Sequence, residues 1–192
     1  MTDPHLEPKT IFEDPQVTSD QPPDFPTIYR SEFPYVWKTL RRLGAPLQDI
    51  EDLAHDLFVV VHRHLAEYDP ARPLRPWLFG IALRVVADFR RSPRQGREIL
   101  GDPSEPVDGK PTPQERLESS EARALLMKAL DKLDLDRRAV FVMHELDEIP
   151  IPEIASALAI PLNTAYSRLR LARADVTASL HRLRSEGRSH HG

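Results

Sequence analysis

The run Asn163-Thr164-Ala165-Tyr166-Ser167-Arg168-Leu169-Arg170-Leu171-Ala172-Arg173 carries the most explicit chemistry in this chain. Its amide, hydroxyl and phenol groups can exchange hydrogen bonds with base edges, and its three arginines can neutralise phosphates. The preceding residues would aim it. Glu153, Ile154, Ala155 and Leu158 have the spacing of a short amphipathic helix, and Ala159-Ile160-Pro161-Leu162 is turn material. A short helix, a tight turn and a basic helix make a helix-turn-helix, whose second helix enters a DNA groove. Ala155 is small where the two helices would cross, and Ile160, Ala165 and Leu169 are placed to pack inward. Taken alone, the pattern also fits an ordinary amphipathic helix with solvated arginines.

A second candidate is the stretch Tyr68 to Trp77 (YDPARPLRPW). Pro70, Pro73 and Pro76 fix φ and remove amide donors, so a stiff loop is expected, with Pro76 suited to a helix first turn. Tyr68 and Trp77 could stack on bases while Arg72 and Arg75 hold the backbone. Trp77 also heads an apolar stripe with Ile81, Val85 and Phe89, so burial in a core stands as the alternative. A third candidate, His55-Asp56 with His62 and His64, suggests a metal-dependent hydrolase. Only one His-Asp pair is present, with no second His block to complete a metal shell and no glycine-rich phosphate loop, so helix surface is the expected fate. The absence of cysteine excludes disulfides, thiolate zinc sites and a cysteine nucleophile. No metal and no cofactor is expected.

Helices must position these groups. Phe33, Val36, Trp37, Leu40 and Leu43 form one apolar stripe, stopped by Gly44 and Pro46. Ile50, Leu53, Leu57, Phe58, Val61 and Leu65 form another, with Asp49 placed to cap it. A third helix is expected from Trp77 to about Arg91. Five prolines and three glycines between 93 and 113 predict a linker. Periodicity resumes at Ala122, Leu125, Leu126, Ala129, Leu130 and Leu133, followed by short helices over about 136–146 and 152–158. A long helix is expected from Asn163 or Thr164 to about Leu183. No strand alternation occurs. The expected fold is all-α, two small helical domains joined by a flexible linker: a disordered tail over 1–28, a domain over 29–98, a linker over 99–114, a second domain over 115–184 and a tail over 185–192.

The net charge of −4 is unevenly spread. Residues 1–34 hold seven acidic and two basic side chains, net −5, whereas residues 35–98 hold eight and eleven, net +3. Residues 119–192 come to +1, from ten acidic and eleven basic side chains. A nucleic-acid footprint is a local patch, so basic helices between acidic connectors remain compatible with DNA. No apolar run approaches the roughly 20 residues of a membrane span, and the acidic, proline-rich start lacks the pattern of a signal peptide. A cytoplasmic protein without membrane insertion is expected.

Two blocks, in order, resemble a known family. The block EIASALAIPLNTAYSRLRLARADV is similar to region 4 of the extracytoplasmic-function (ECF) sigma factors of the sigma-70 family, and RPWLFGIALRVVADFRR resembles their region 2. DIEDLAHDLFVVVHRHLAEYD resembles the helix before that second block. The resemblance covers roughly 30–98 and 115–183. It departs at Ala159 and Asn163, where glycine is usual, at Tyr166, where lysine is common, and at Arg84, which replaces a frequent asparagine.

The resemblance implies a transcription initiation factor, not an enzyme. Asp49, Asp52, Asp56, Leu57 and Val61 would bind the core RNA polymerase, although the carboxylates are equally readable as a solvated helix face. Asp69, Arg72, Arg75, Trp77, Arg84, Arg90 and Arg91 would read the minus-ten element of promoter DNA, with a base turned out of the stack, and Arg94 and Arg97 would follow phosphates. Asn163, Thr164, Tyr166, Ser167, Arg168, Arg170 and Arg173 would lie in the major groove of the minus-thirty-five element. An anti-sigma factor is a further partner that the resemblance implies. The rival is a helix-turn-helix regulator with an N-terminal sensor bundle, which would bind duplex DNA without polymerase. The acidic tail is expected to compete with DNA for the basic surfaces.

Overall fold

A computed structural model describes residues 24–92 and 113–189. The expectations for the acidic tail, most of the linker, and Arg94 and Arg97 lie outside these residues. Among the described residues there are seven α-helices and no strand: α1 (Phe25–Arg42), α2 (Ile50–His64), α3 (Leu74–Arg91), α4 (Pro113–Leu130), α5 (Leu135–Phe141), α6 (Ile151–Ala157) and α7 (Leu162–Ser189).

The first three helices form one bundle. Helix α1 starts at Phe25, earlier than the stripe from Phe33 suggested, because Pro26 occupies its first turn and Ile28 is already buried. It also continues through Pro34. Asp49 does not cap α2: it ends a 3-10 turn (Leu47–Asp49), and its side chain accepts no capping hydrogen bond. Leu53, Ala54, Leu57, Phe58 and Val61 of α2 pack against Val36, Leu40 and Leu43 of α1 and against Leu78, Phe79, Ala82 and Val86 of α3. Burying each large side chain contributes about 1.5–3 kcal/mol before ordering entropy is counted.

The second bundle is built on α7, whose inward stripe is Ala165, Leu169, Ala172, Val176 and Ser179. Helix α5 is capped by Asp134, whose carboxylate accepts from the Arg137 amide at 2.9 Å. It runs directly into a π-helical turn, Val142–Leu146. Glu148 then takes a positive φ of 55°, reversing the chain into α6. Helix α7 reaches Ser189, past the end expected near Leu183.

The two bundles share one hydrophobic core rather than lying apart. Gly80 on α3 approaches α6 so closely that an added Cβ would stand 3.3 Å from the Ala157 carbonyl oxygen. Polar groups seal the junction. Asp147, just after the π turn, accepts from Arg42 Nη1 at 2.8 Å and from Tyr35 Oη at 3.0 Å. Arg138 of α5, 1% exposed, donates from Nε to the Arg42 carbonyl at 2.5 Å and from Nη1 to Asp131 at 2.8 Å.

Candidate nucleic-acid and polymerase interfaces

The turn between α6 and α7 is a Schellman motif. Ile160 N–H bonds the Ala155 carbonyl at 3.0 Å and Ala159 N–H bonds that of Ser156 at 3.2 Å. Ala159 sits at the left-handed position with φ 52°, the conformation for which glycine is usual. Asn163 needs no such geometry, since it already lies inside α7. At about 100° per residue, the face opposite the buried stripe carries Asn163, Ser167 and Arg170, all exposed. Tyr166, 53% exposed, and Arg173 flank it on one side. Thr164 and Arg168 flank it on the other and are partly buried.

Two of the three candidate arginines already have partners. Arg168 pairs with Asp136 in the first turn of α5, and Arg173 donates from Nε to Glu145 at 2.8 Å. Arg170 has no acidic partner among the described residues. Arg137 pairs with Asp175 at 2.8 Å and ties α5 to α7. Sequence periodicity could not have shown that contact, because its partners are 38 positions apart.

The proline loop is organised by its own residues. Tyr68 Oη donates to the Arg72 carbonyl at 2.5 Å, and Asp69 accepts from the Ala71 amide at 3.0 Å, an Asx turn. Arg72 lies 3.6 Å from the same carboxylate. The Tyr68 ring packs 4.9 Å from that of Trp77, leaving both partly exposed at the mouth of the loop. Burial first, and then the Asp69 charge, push the Tyr68 phenol above its ordinary pKa, so it stays a donor. Asp69 thus builds the loop.

Arg75 leans away from this mouth, 3.1 Å from Glu32 and over the Tyr35 ring at 5.0 Å. Arg84 and Arg91 are exposed on α3, with Arg91 beside Asp88. Arg90 turns inward and donates to the Leu43 carbonyl at 2.8 Å, so its guanidinium caps the end of α1. The core stripe of α3 runs through Leu78, Ala82 and Val86, and Trp77 stands beside it.

On α2, Asp52 and Asp56 are exposed, and Asp49, just before it, is half-buried. Leu57 and Val61 are wholly enclosed, so neither can touch a partner without unfolding the bundle. They belong to the core: their spacing on the apolar stripe already placed them there. The nearby histidines are spent locally, His62 against the Phe25 ring at 5.0 Å and His64 2.9 Å from Glu67. Among the described residues no three His, Cys, Asp or Glu side chains come together to hold a metal.

Residues 28–96 match the family described as Sigma-70 region 2, and residues 123–176 match Sigma-70 region 4. RNA polymerase sigma factor NccH of Alcaligenes xylosoxydans xylosoxydans is 32% identical over 145 residues, covering 73% of this chain and 77% of that protein. This chain belongs to the sigma-70 family.

RNA polymerase sigma factor CnrH of Cupriavidus metallidurans is also 32% identical, over 73% of this chain and 78% of its own length. ECF sigma factor SigE of Mycolicibacterium smegmatis is 29% identical, over 81% and 62%. The structure of CnrH in complex with the cytosolic domain of CnrY superposes with a TM-score of 0.58 at 27% identity, over 82% of this chain and 87% of that one. The sigma factor RpoE in complex with the anti-sigma factor NepR, from Bartonella quintana, has the same fold, with a TM-score of 0.63 at 19% identity over 82% and 97%. The sigma factor described here is an RNA polymerase subunit that directs transcription initiation, with region 2 in α1–α3 and region 4 in α4–α7. None of its described helices is long and apolar enough to cross a membrane.

Proposed function

We propose that this sigma factor meets core polymerase through the exposed carboxylate face of α2, centred on Asp52 and Asp56. It reads the minus-ten element at the Tyr68–Trp77 mouth, with Arg72, Arg84 and Arg91 on the backbone. It reads the minus-thirty-five element with Asn163, Tyr166, Ser167 and Arg170. Asp69 and Arg75 order the minus-ten loop, and Arg168 and Arg173 steady the recognition helix against Asp136 and Glu145. The carrying observation is that each half presents hydrogen-bonding, aromatic and basic side chains outward at the positions where the family binds DNA. The protein works in the cytoplasm without an enzymatic step of its own. An anti-sigma factor is its regulator, as CnrY and NepR accompany the two structural relatives.

Reconstitution with bacterial core polymerase and run-off transcription across a promoter library tests this reading. Transcripts from defined promoters, lost on Trp77→Ala with Arg170→Ala, are expected. Duplex binding by the chain together with no stable complex with core polymerase would reject it.

A further inference from the structure

We infer that Leu162 and Tyr166, side by side on one flank of α7, read thymine in the minus-thirty-five element through its 5-methyl group. The inference rests on the placing of α7 in the major groove of that element. It adds Leu162 to the reading residues and gives the Tyr166 ring an apolar task.

Three observations carry it. First, the fold leaves these side chains unused. Among the described residues, the large apolar side chains left exposed are Tyr29 on α1 and Leu162, Tyr166 and Leu171 on α7. Leu162 is 44% exposed, although it borders the turn that α6 and α7 share. The unpaired N–H groups of a helix's first turn favour Asp or Glu nearby, yet α7 has no acid there and opens on leucine.

Second, the pair stands at the leading end of the helix. Leu162 is its first residue, and Tyr166 follows at i+4, so the two side chains are neighbours. The start of the helix is fixed, because the Thr164 and Ala165 N–H groups both donate to the Pro161 carbonyl, at 2.9 and 3.1 Å. The N-terminal residues of a recognition helix are those that meet base edges.

Third, charge selects this flank over the other. Arg170 and Arg173 continue the row at i+8 and i+11, both exposed. The acids of α7, Asp175 and Glu186, lie on the opposite flank, where Arg168 pairs with Asp136 and Arg137 with Asp175. Phosphates therefore favour the side of Leu162 and Tyr166. Leu171, one turn before Asp175, stands on the acidic side.

In the major groove thymine alone carries a methyl group, and apolar side chains are the groups that detect it. Cytosine in the same place would press its amino donor against leucine, which offers no acceptor. Hydrogen bonds from Asn163, Ser167 and Arg170 cannot sense a methyl, so the apolar pair supplies a discrimination that the polar face lacks.

The test uses holoenzyme reconstituted from the full chain and bacterial core polymerase. It is offered promoter fragments randomised over the upstream element, made in two libraries, one with thymine in that element and one with deoxyuridine in its place. Bound fragments are sequenced. In the parent, enrichment of thymine at one or two positions should exceed that of uracil about fourfold, the factor expected for burying one methyl group. Leu162→Ala and Tyr166→Ala, each checked for helical content by circular dichroism, should bring the ratio toward one. Leu162→Met, still apolar, and Leu171→Ala, on the other flank, should keep it. Equal enrichment of thymine and uracil by the parent, or an unchanged ratio in the folded alanine variants, overturns the inference and leaves α7 on its element. A parent that enriches no upstream sequence at all overturns the placing of α7 itself.

Discussion

Two helix ends in this protein carry the same Schellman geometry with different residues at the critical position, and exchanging them gives opposed outcomes. At the end of α1, Gly44 has φ 91°, with Gly44 N–H on the Arg41 carbonyl at 2.9 Å and Ala45 N–H on that of Leu40 at 3.0 Å. At the end of α6, Ala159 takes the same role at φ 52°. An L-residue there costs about 1–2 kcal/mol, of which roughly 0.4–1 kcal/mol is offset because glycine loses more entropy on folding. Ala159→Gly should therefore stabilise by about 0.5–1 kcal/mol. With one core shared by some 150 residues, that raises Tm by about 2–3 °C. Gly44→Ala should do the reverse and more. Its Cβ would stand 2.5 Å from Arg90 Nη2 and 3.0 Å from Arg138 Nη1, displacing guanidinium groups that cap α1. Backbone strain plus about 1 kcal/mol for a lost hydrogen bond gives roughly 2–3 kcal/mol and a fall of about 6–10 °C. Thermal melts followed by circular dichroism, with urea titrations for confirmation, measure both. An unchanged or lower Tm for Ala159→Gly would refute the reasoning from φ, and a neutral Gly44→Ala would refute the packing at the α1 terminus.

Further outcomes are expected. Leu57→Ala should cost about 2–5 kcal/mol of stability because it empties a fully buried site, whereas Asp56→Ala should leave urea midpoints unchanged and weaken polymerase binding; the reverse ranking would contradict the burial of Leu57. Tyr35 should be the last tyrosine to ionise, since burial foremost, with the Asp147 charge, raises its pKa far above the ordinary 10. Its folded value lies above its unfolded one, so its stabilisation is complete below pH 10 and is lost as pH rises beyond. Phenolate absorbance read beside circular dichroism tests this, and a Tyr35 that ionises with the exposed tyrosines while the fold persists would contradict it. Arg170→Ala should reduce the salt dependence of promoter binding by about one unit of slope. Arg168→Ala, which breaks a pair at the protein surface, should change stability by less than about 1 kcal/mol; equal salt slopes for the two variants would undo the division of roles on α7.

Much of the fold was legible because its signals are local. The stripe through Ala165 and Leu169, the stop at Gly44 and the departure at Ala159 each depend on residues a few positions apart. The orientation of the candidate recognition face was legible to the same extent: Asn163, Ser167 and Arg170 point outward because the helical period requires it. Long-range pairing was not. Asp147 and Arg42 are 105 positions apart, and nothing in the residues beside either one marks it for the other. Arg90 and Arg168 look like free cations in a list of arginines, and their partners, the Leu43 carbonyl and Asp136, lie far from them in sequence. The family resemblance puts Leu57 and Val61 on the polymerase surface, against their own periodicity, and burial returns them to the core. The early start of α1 was hidden because Pro26 falls in the stretch expected to be a disordered tail, although a first-turn proline is compatible with a helix.

Arg138 has a consequence for engineering and for descent. Its guanidinium belongs by sequence to region 4 but depends on a carbonyl of region 2, so the two regions are not independent cassettes. A hybrid that joins this region 4 to a foreign region 2 keeps the buried cation and loses the helix end that receives it. Such a chimera should be less stable than the parent, because buried Arg138 loses an acceptor. Retargeting this protein to a new upstream element is better done by grafting the outward face of α7 alone, leaving α5 and the turn after it with their own α1.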